Sequence, residues 1–186
     1  MIMSLLDTYK KIAKFLNAGK YSYIVIGGLA ASTIGEARVT ADIDIDLVIE
    51  KDDLLVFLDK AKKAGFGLSV KKCIKSAEQT GVFEISYGDY HIDFIIASTD
   101  LEIQACNRRK AINLHGVKAF FPTPEDLILL KLVPDRAKDI SDIEGLIARH
   151  ENKLDRKYLK IWAMKLCEEA EDMRIWKKLN KLLGEK

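Results

Sequence analysis

No run of this chain approaches the ~20 consecutive apolar residues that a bilayer-spanning helix needs. Residues 1–6 carry no basic stretch followed by an apolar run, so no secretory signal is expected there. Cysteine is scarce: Cys73, Cys106 and Cys167 are odd in number, far apart and without CxxC spacing. That pattern speaks against a disulfide framework or a cysteine zinc site and for buried, reduced thiols. His91 and His115 have no second histidine or cysteine at ligand spacing. Net charge is only +2, too little to predict a nucleic-acid footprint from composition. Repeats and low-complexity tracts are absent. A cytoplasmic protein without a membrane partner is the expectation.

What is present suits a folded chain. Its 186 residues, 48% hydrophobic and 31% charged, fit one compact domain or a core domain with a helical appendage. Residues 5–16 have apolar positions at helical spacing, closed by Asn17-Ala18-Gly19. Residues 21–26 form a β-branched run that ends in Gly27-Gly28, a buried strand entering a tight turn. A short helix over 29–34 comes next, then a strand over 42–50 and a helix over 52–64 closed by Gly65. Residues 82–87 and 90–97 flank Gly88-Asp89, a hairpin signal. Thr99 or Asp100 caps a helix to about 107, and 111–121 reads as a second hairpin around His115-Gly116.

After Phe121 the texture becomes helical. Thr123-Pro124-Glu125-Asp126 supplies a capping hydroxyl, proline at the first helical position and acids in the first turn. Pro134 and Asn152 are the expected breaks in this helical region. The predicted organisation is an α/β core over 1–122 and a C-terminal helical region over 123–186 packed on it.

Chemistry concentrates in one stretch. Gly27-Gly28 is followed after thirteen residues by Asp42-Ile43-Asp44-Ile45-Asp46. Residues two apart on a strand share a face about 6–7 Å apart, so the three acids project together while Ile43, Ile45 and Leu47 face a core. Aligned carboxylates repel one another unless a cation lies between them, and hard oxygen ligands suit Mg²⁺. A strand that ends in Gly-Gly and opens a helix exposes backbone N–H groups to an anion. A lone Gly-Gly is usually just a turn, and alternating acids are usually a solvated strand edge. Both together, on a strand–turn–helix followed by a strand, resist the bland reading. Asp93, inside the apolar run His91 to Ile96, is either the wet face of an edge strand or a third carboxylate facing Asp42 and Asp44.

Gly27-Gly28, Asp42-Ile43-Asp44 and the later hydrophobic-Asp-hydrophobic strand resemble the signature of the polymerase β-like, minimal nucleotidyltransferase superfamily. The wording from Ile26 to Ser32 and from Arg38 to Asp44 resembles its AbiEii-like prokaryotic branch. So do Pro124-Glu125-Asp126-Leu127, Lys131-Leu132 and the run Arg136-Ala137-Lys138-Asp139-Ile140-Ser141-Asp142-Ile143. The resemblance spans roughly residues 23–146. It implies a short mixed sheet flanked by helices, with a helical bundle closing over the nucleotide. It also implies an enzyme that moves a nucleoside monophosphate from an NTP to an acceptor with Mg²⁺ or Mn²⁺. The acceptor would be a tRNA end, a protein side chain or a small molecule. A toxin with an antitoxin partner is a further implication.

Carried over, Asp42, Asp44 and Asp93 would bind metal, with Asp93 as ligand or base, and Gly27 and Gly28 would hold the triphosphate. Many relatives have serine as the second residue of the glycine pair; here that contact falls to backbone or to Ser32, one turn along. Lys131 is expected as a phosphate contact or a plain surface lysine. Asp139 and Asp142, three apart, share a helix face near the site, orienting Lys131, holding another basic residue or contacting substrate. Arg38 pairs with the acid cluster or reaches a phosphate. Asp46 is expected to support the metal ligands from behind or to face solvent. Trp162 and Trp176 read as packing residues. Lys71, Lys72 and Lys75 read as a solvated edge or a guide for a polyanionic acceptor. The competing functional class is a non-catalytic nucleotide-binding or antitoxin-type protein of the same fold.

Overall fold

A computed structural model describes residues 4–134 and 136–184. The chain begins with helix α1 (Leu5–Ala18), whose start is fixed by a capping box between Ser4 and Asp7. Strand β1 (Ser22–Ile26) runs straight into helix α2 (Gly27–Ile34). Strand β2 (Ile43–Val48), a short 3₁₀ turn and helix α3 (Leu54–Lys63) come next. Helix α4 (Val70–Thr80) precedes the hairpin of β3 (Val82–Tyr87) and β4 (Tyr90–Ile96). Helix α5 (Asp100–Arg108), capped by a box between Thr99 and Glu102, leads to a second hairpin of β5 (Lys110–Leu114) and β6 (Val117–Phe121). Four further helices close the described chain: α6 (Pro124–Leu132), α7 (Ala137–His150), α8 (Arg156–Ala170) and α9 (Arg174–Leu182).

The four-stranded sheet has the order β1-β2-β4-β3. Strand β2 is antiparallel to β1 and parallel to β4, while β4 is antiparallel to β3. This is the mixed α/β architecture that the sequence predicts. Helix α4 was not foreseen: it buries only Cys73 and Ala77, a stripe too narrow to stand out as a period, and Lys71, Lys72 and Lys75 ride its outer side.

Register separates the two sheet faces. Val25, Ile45, Phe94 and Phe83 are Cα partners in one row, and all are at most 1% exposed. They form the centre of the core with Phe57 of α3; the Phe83 and Phe94 rings stack at 5.0 Å. Burying each such aromatic contributes roughly 2–3 kcal/mol. The opposite face carries the row Ile26, Asp44, Asp93 and Glu84. Helix α5 covers part of that face through Ala105 and Cys106, which pack with Ile24. The core continues without a break from Tyr9 through the sheet to Leu179, and Trp162 and Trp176 pack against it. Among the described residues no helix is long and apolar enough to cross a membrane.

The helices after Phe121 are joined to the rest by a buried carboxylate. Asp126 is fully buried; it accepts from Thr123 Oγ1 at 2.7 Å, Arg108 Nε at 3.1 Å and the Tyr158 hydroxyl at 2.5 Å. The Arg108 guanidinium also lies 3.8 Å over the Tyr158 ring. One carboxylate thereby links α5, α6 and α8. Replacing Tyr158 with Phe removes a donor from a buried charge and is expected to lower stability by about 1–3 kcal/mol. Urea unfolding followed by tryptophan fluorescence and by circular dichroism should give one coincident transition at lower urea. An unchanged midpoint would mean that the hydroxyl contributes nothing to holding these helices together.

Candidate active site

The site starts where β1 ends. Ile26 pairs with Asp44 across the sheet, and the chain then turns at Gly27, whose φ is +65°. A Cβ built on Gly27 would sit 1.8 Å from Asp44 Oδ2. The carboxylate of Asp44 therefore lies against bare backbone, and only glycine permits both the left-handed φ and the approach. A Cβ on Gly28 would come within 2.6 Å of Thr40 Oγ1 and 3.0 Å of Arg38 Nη2. The loop between α2 and β2 thus folds back over the first turn of α2, whose cap residue Ile26 makes no side-chain hydrogen bond to that turn.

The acids fall into three environments. Asp44 and Asp93 are Cα partners on parallel strands, so they stand side by side on one face. Burial and then Asp42 push the Asp44 carboxyl above the usual range, against the pull of Lys131, Lys138 and Arg136. Asp93 is likewise raised, by burial first and then by Asp44, Glu84 and Asp42. Asp42 lies one residue before β2 and is exposed. Among the described residues, no three His, Cys, Asp or Glu side chains gather closely enough to cage a metal ion. The donor set nevertheless fits Mg²⁺, which is usually held by one or two carboxylates together with substrate phosphates.

Asp46 departs from the reading as a solvent-facing acid. It is 1% exposed, beneath α5, and its Oδ2 has no hydrogen-bond partner. Burial, then Glu102 and Asp44, push its carboxyl up to about 8. Strand alternation assigns Asp46 to the face of Asp44 but carries no information about the helix that covers it.

Facing Asp44 is a wall of cations. A cleft of about 190 Å³ is lined by Gly27, Gly28, Arg38, Asp44, Lys131, Arg136, Lys138 and Asp139, among others. Lys131 is 5% exposed, and its Nζ donates to Asp142 Oδ2 at 2.7 Å and to Asp139 Oδ1 at 3.3 Å. It is a buried strut rather than a surface lysine. Arg38 grips Asp142 with two prongs, at 2.6 and 3.0 Å. Arg136 grips Asp139 in the same way, at 2.5 and 3.2 Å. Burial alone would raise the Asp139 carboxyl, but the Arg136 hydrogen bond and the Lys131 charge overcome it and hold it low.

The structure thus gathers Gly27, Gly28, Arg38, Asp44, Lys131 and Asp139 around one cleft, with Asp93 beside Asp44. Asp142 lies behind the wall, and its carboxylate holds Arg38 and Lys131. Ser32 lies outside the lining: its hydroxyl donates to the Arg38 carbonyl at 2.9 Å and pins the loop. Arg136 and Lys138 were missed as cleft residues. The signal for them was their place in Arg136-Ala137-Lys138-Asp139, at the start of α7.

The model of a family described as "Nucleotidyltransferase of unknown function (DUF6036)" matches residues 3–183. No curated protein matches the chain by sequence. Among solved structures, the lincosamide antibiotic adenylyltransferase LnuA, lincomycin-bound, shares 16% identity at a TM-score of 0.55, over 78% of this chain and 98% of its own. The antibiotic-resistance factor ANT(2'')-Ia shares 15% identity at a TM-score of 0.59, over 92% of this chain and 97% of its own. An antigenic nucleotidyltransferase-like protein from Paracoccidioides brasiliensis shares 17% identity at a TM-score of 0.53, over 96% and 92% respectively. At these identities the likeness is one of fold.

The buried Asp46 has a consequence for stability. Its carboxyl is raised to about 8 from 3.8, so between those values the unfolded chain has lost a proton that the fold retains. Stability then falls as pH rises through this window, by about 1 kcal/mol per unit, and levels off above it. Asp46→Asn removes that slope. The variant should gain melting temperature over the parent progressively from pH 5 to pH 8. Parallel curves across that range would show that Asp46 is ionised throughout.

Proposed function

The chain belongs to the DUF6036 nucleotidyltransferase family, and from that premise we propose that it transfers a nucleoside monophosphate from an NTP to an acceptor hydroxyl. The observation that carries this reading is the contact of Asp44 with Gly27 at the edge of a cleft whose far wall is cationic. Asp44, a bare backbone corner and four cations line the same cleft, and Asp93 stands beside Asp44 on the neighbouring strand. Nucleotidyl transfer asks little more of a protein than this positioning and neutralisation.

Each group has a role in that reading. The first turn of α2 has no side-chain cap from Ile26, and its N–H groups would donate to phosphate oxygens. Asp42, Asp44 and Asp93 would hold the Mg²⁺ or Mn²⁺, which when bound neutralises phosphate charge and orients the α-phosphorus. Asp93, raised by burial and by its acidic neighbours, is suited to take the proton of the acceptor hydroxyl. Arg38 lies over Gly28 and is held there by Asp142.

Beyond Asp93 the sheet face stays acidic. Glu84 is its Cα partner on β3, and His91 Nδ1 lies 3.0 Å from Glu84 Oε1. An acidic strip beside the transfer point disfavours a polyanion such as a tRNA end and favours a neutral or cationic small molecule as acceptor. Fold likeness to LnuA, an adenylyltransferase of lincosamide antibiotics, is in keeping with that choice. The AbiEii-like wording of Arg38 to Asp44 and of Arg136 to Ile143 supports a second setting, in which the enzyme is a toxin checked by an antitoxin chain.

Labelled NTPs with Mg²⁺ or Mn²⁺ should therefore label some acceptor among hydroxylated small molecules, total RNA and lysate proteins. Asp44→Asn should cut the rate at least about a hundredfold. Because burial already disfavours the Asp44 charge, the variant should be no less stable than the parent at neutral pH. Saturating NTP with Mg²⁺ should raise the melting temperature, about 2.7 kcal/mol of stabilisation at a hundred times Kd. Turnover unchanged in Asp44→Asn, or a flat thermal shift with all four NTPs, would sink the reading.

A further inference from the structure

Three of the four cations around the cleft are already committed to carboxylates. Arg38 is bound to Asp142, Lys131 to Asp142 and Asp139, and Arg136 to Asp139. The two acids are nearly buried, at 7% and 1% exposure, so a cation pulled away from either would leave a charge stranded from water. These cations can turn spare N–H groups toward a ligand, but their charge is largely answered within the fold.

Lys138 differs on every count. It stands on the first turn of α7, is exposed, and lines the same cleft as Gly27, Gly28 and Asp44. Among the described residues it has no ion-pair partner; its neighbour Asp139 is occupied by Arg136 and Lys131. Its charge nonetheless reaches across the cleft to Asp44. A lysine also suits a ligand that moves: its flexible stem carries a compact charge with three donors, whereas a forked arginine grip fixes its partner in place.

Resting on the nucleotidyltransferase reading, we propose that Lys138 reads the terminal phosphates of the bound triphosphate and stays with them as pyrophosphate departs. Lys131, buried and twice paired, is a strut that keeps α6 and α7 in place. In the step itself a bond forms between the acceptor oxygen and the α-phosphorus, and the bond from the α-phosphorus to the bridging oxygen breaks. The acceptor proton passes to a carboxylate and on to water. Lys138 exchanges no proton; it answers the negative charge that gathers on the leaving pyrophosphate.

The test is binding rather than turnover. Wild type, Lys138→Ala, Lys138→Arg and Lys131→Met are titrated with each NTP, the matching NMP and inorganic tripolyphosphate, all with Mg²⁺. Lys138→Ala should bind NTP and tripolyphosphate about tenfold more weakly, the worth of one charge-assisted contact, while NMP binding changes less than about twofold. Lys138→Arg should recover most of the loss. Without ligand, Lys138→Ala should melt with the parent and Lys131→Met well below it. If Lys138→Ala keeps the parent's ratio of NTP to NMP affinity, the inference falls while the transferase reading stands. If wild type binds no NTP of any base, both fall.

Discussion

A carboxylate pressed onto bare backbone organises this molecule. Asp44 and Gly27 approach so closely that no side chain fits between them, and the left-handed φ at Gly27 is what sends the chain from β1 into α2. The contact needs three things at once: β1 antiparallel to β2, Asp44 on the face opposite the core, and a turn immediately after Ile26. The row Val25, Ile45, Phe94 and Phe83 supplies the first two, because burying those side chains leaves Asp44 and Asp93 no other face to occupy. Core packing and site geometry are thus two sides of one register.

Helix α7 holds the other wall in relation to this corner. Asp142 grips Arg38 across 104 positions of sequence. Arg149 Nη1 donates to the Gly35 carbonyl, and the His150 ring meets the Ile34 carbonyl. Both contacts fall at the C-terminal end of α2, where carbonyls lack helical partners and attract positive groups. One helix therefore secures the end of α2 and the loop leading to Asp42. Three cations share two carboxylates in this network, so even its internal pairing leaves an excess of positive charge facing the glycine corner.

Much of this was legible in the sequence because it is local. Alternation in 42–50 betrayed a strand with an acid face, Gly27-Gly28 a corner, and Thr123-Pro124 the start of a helix. The rest depends on partners far away in the chain. Nothing near Asp46 announces that α5 will cover it, and nothing near Asp142 names Arg38. Helix α4 escaped because Cys73 and Ala77 are a small, sparse stripe. Lys138 escaped, although it sits in the run Arg136-Ala137-Lys138-Asp139, because an exposed lysine is ordinarily just solvated; what singles it out is that the other cleft cations are ion-paired and, among the described residues, it is not.

These facts give the cleft a direction. On the side of Gly28 four cations, Arg38, Lys131, Arg136 and Lys138, stand against the two carboxylates of Asp139 and Asp142; on the other side stand Asp93 and Glu84, with Asp44 between. In the proposed reaction a triphosphate would lie with its tail toward α7 and its α-phosphorus toward the acids. The acceptor would then approach from the acidic side, in line with the departing pyrophosphate. On that proposal the polarity that would seat the nucleotide would also favour a neutral or cationic acceptor, so donor and acceptor preference would follow from the same few side chains.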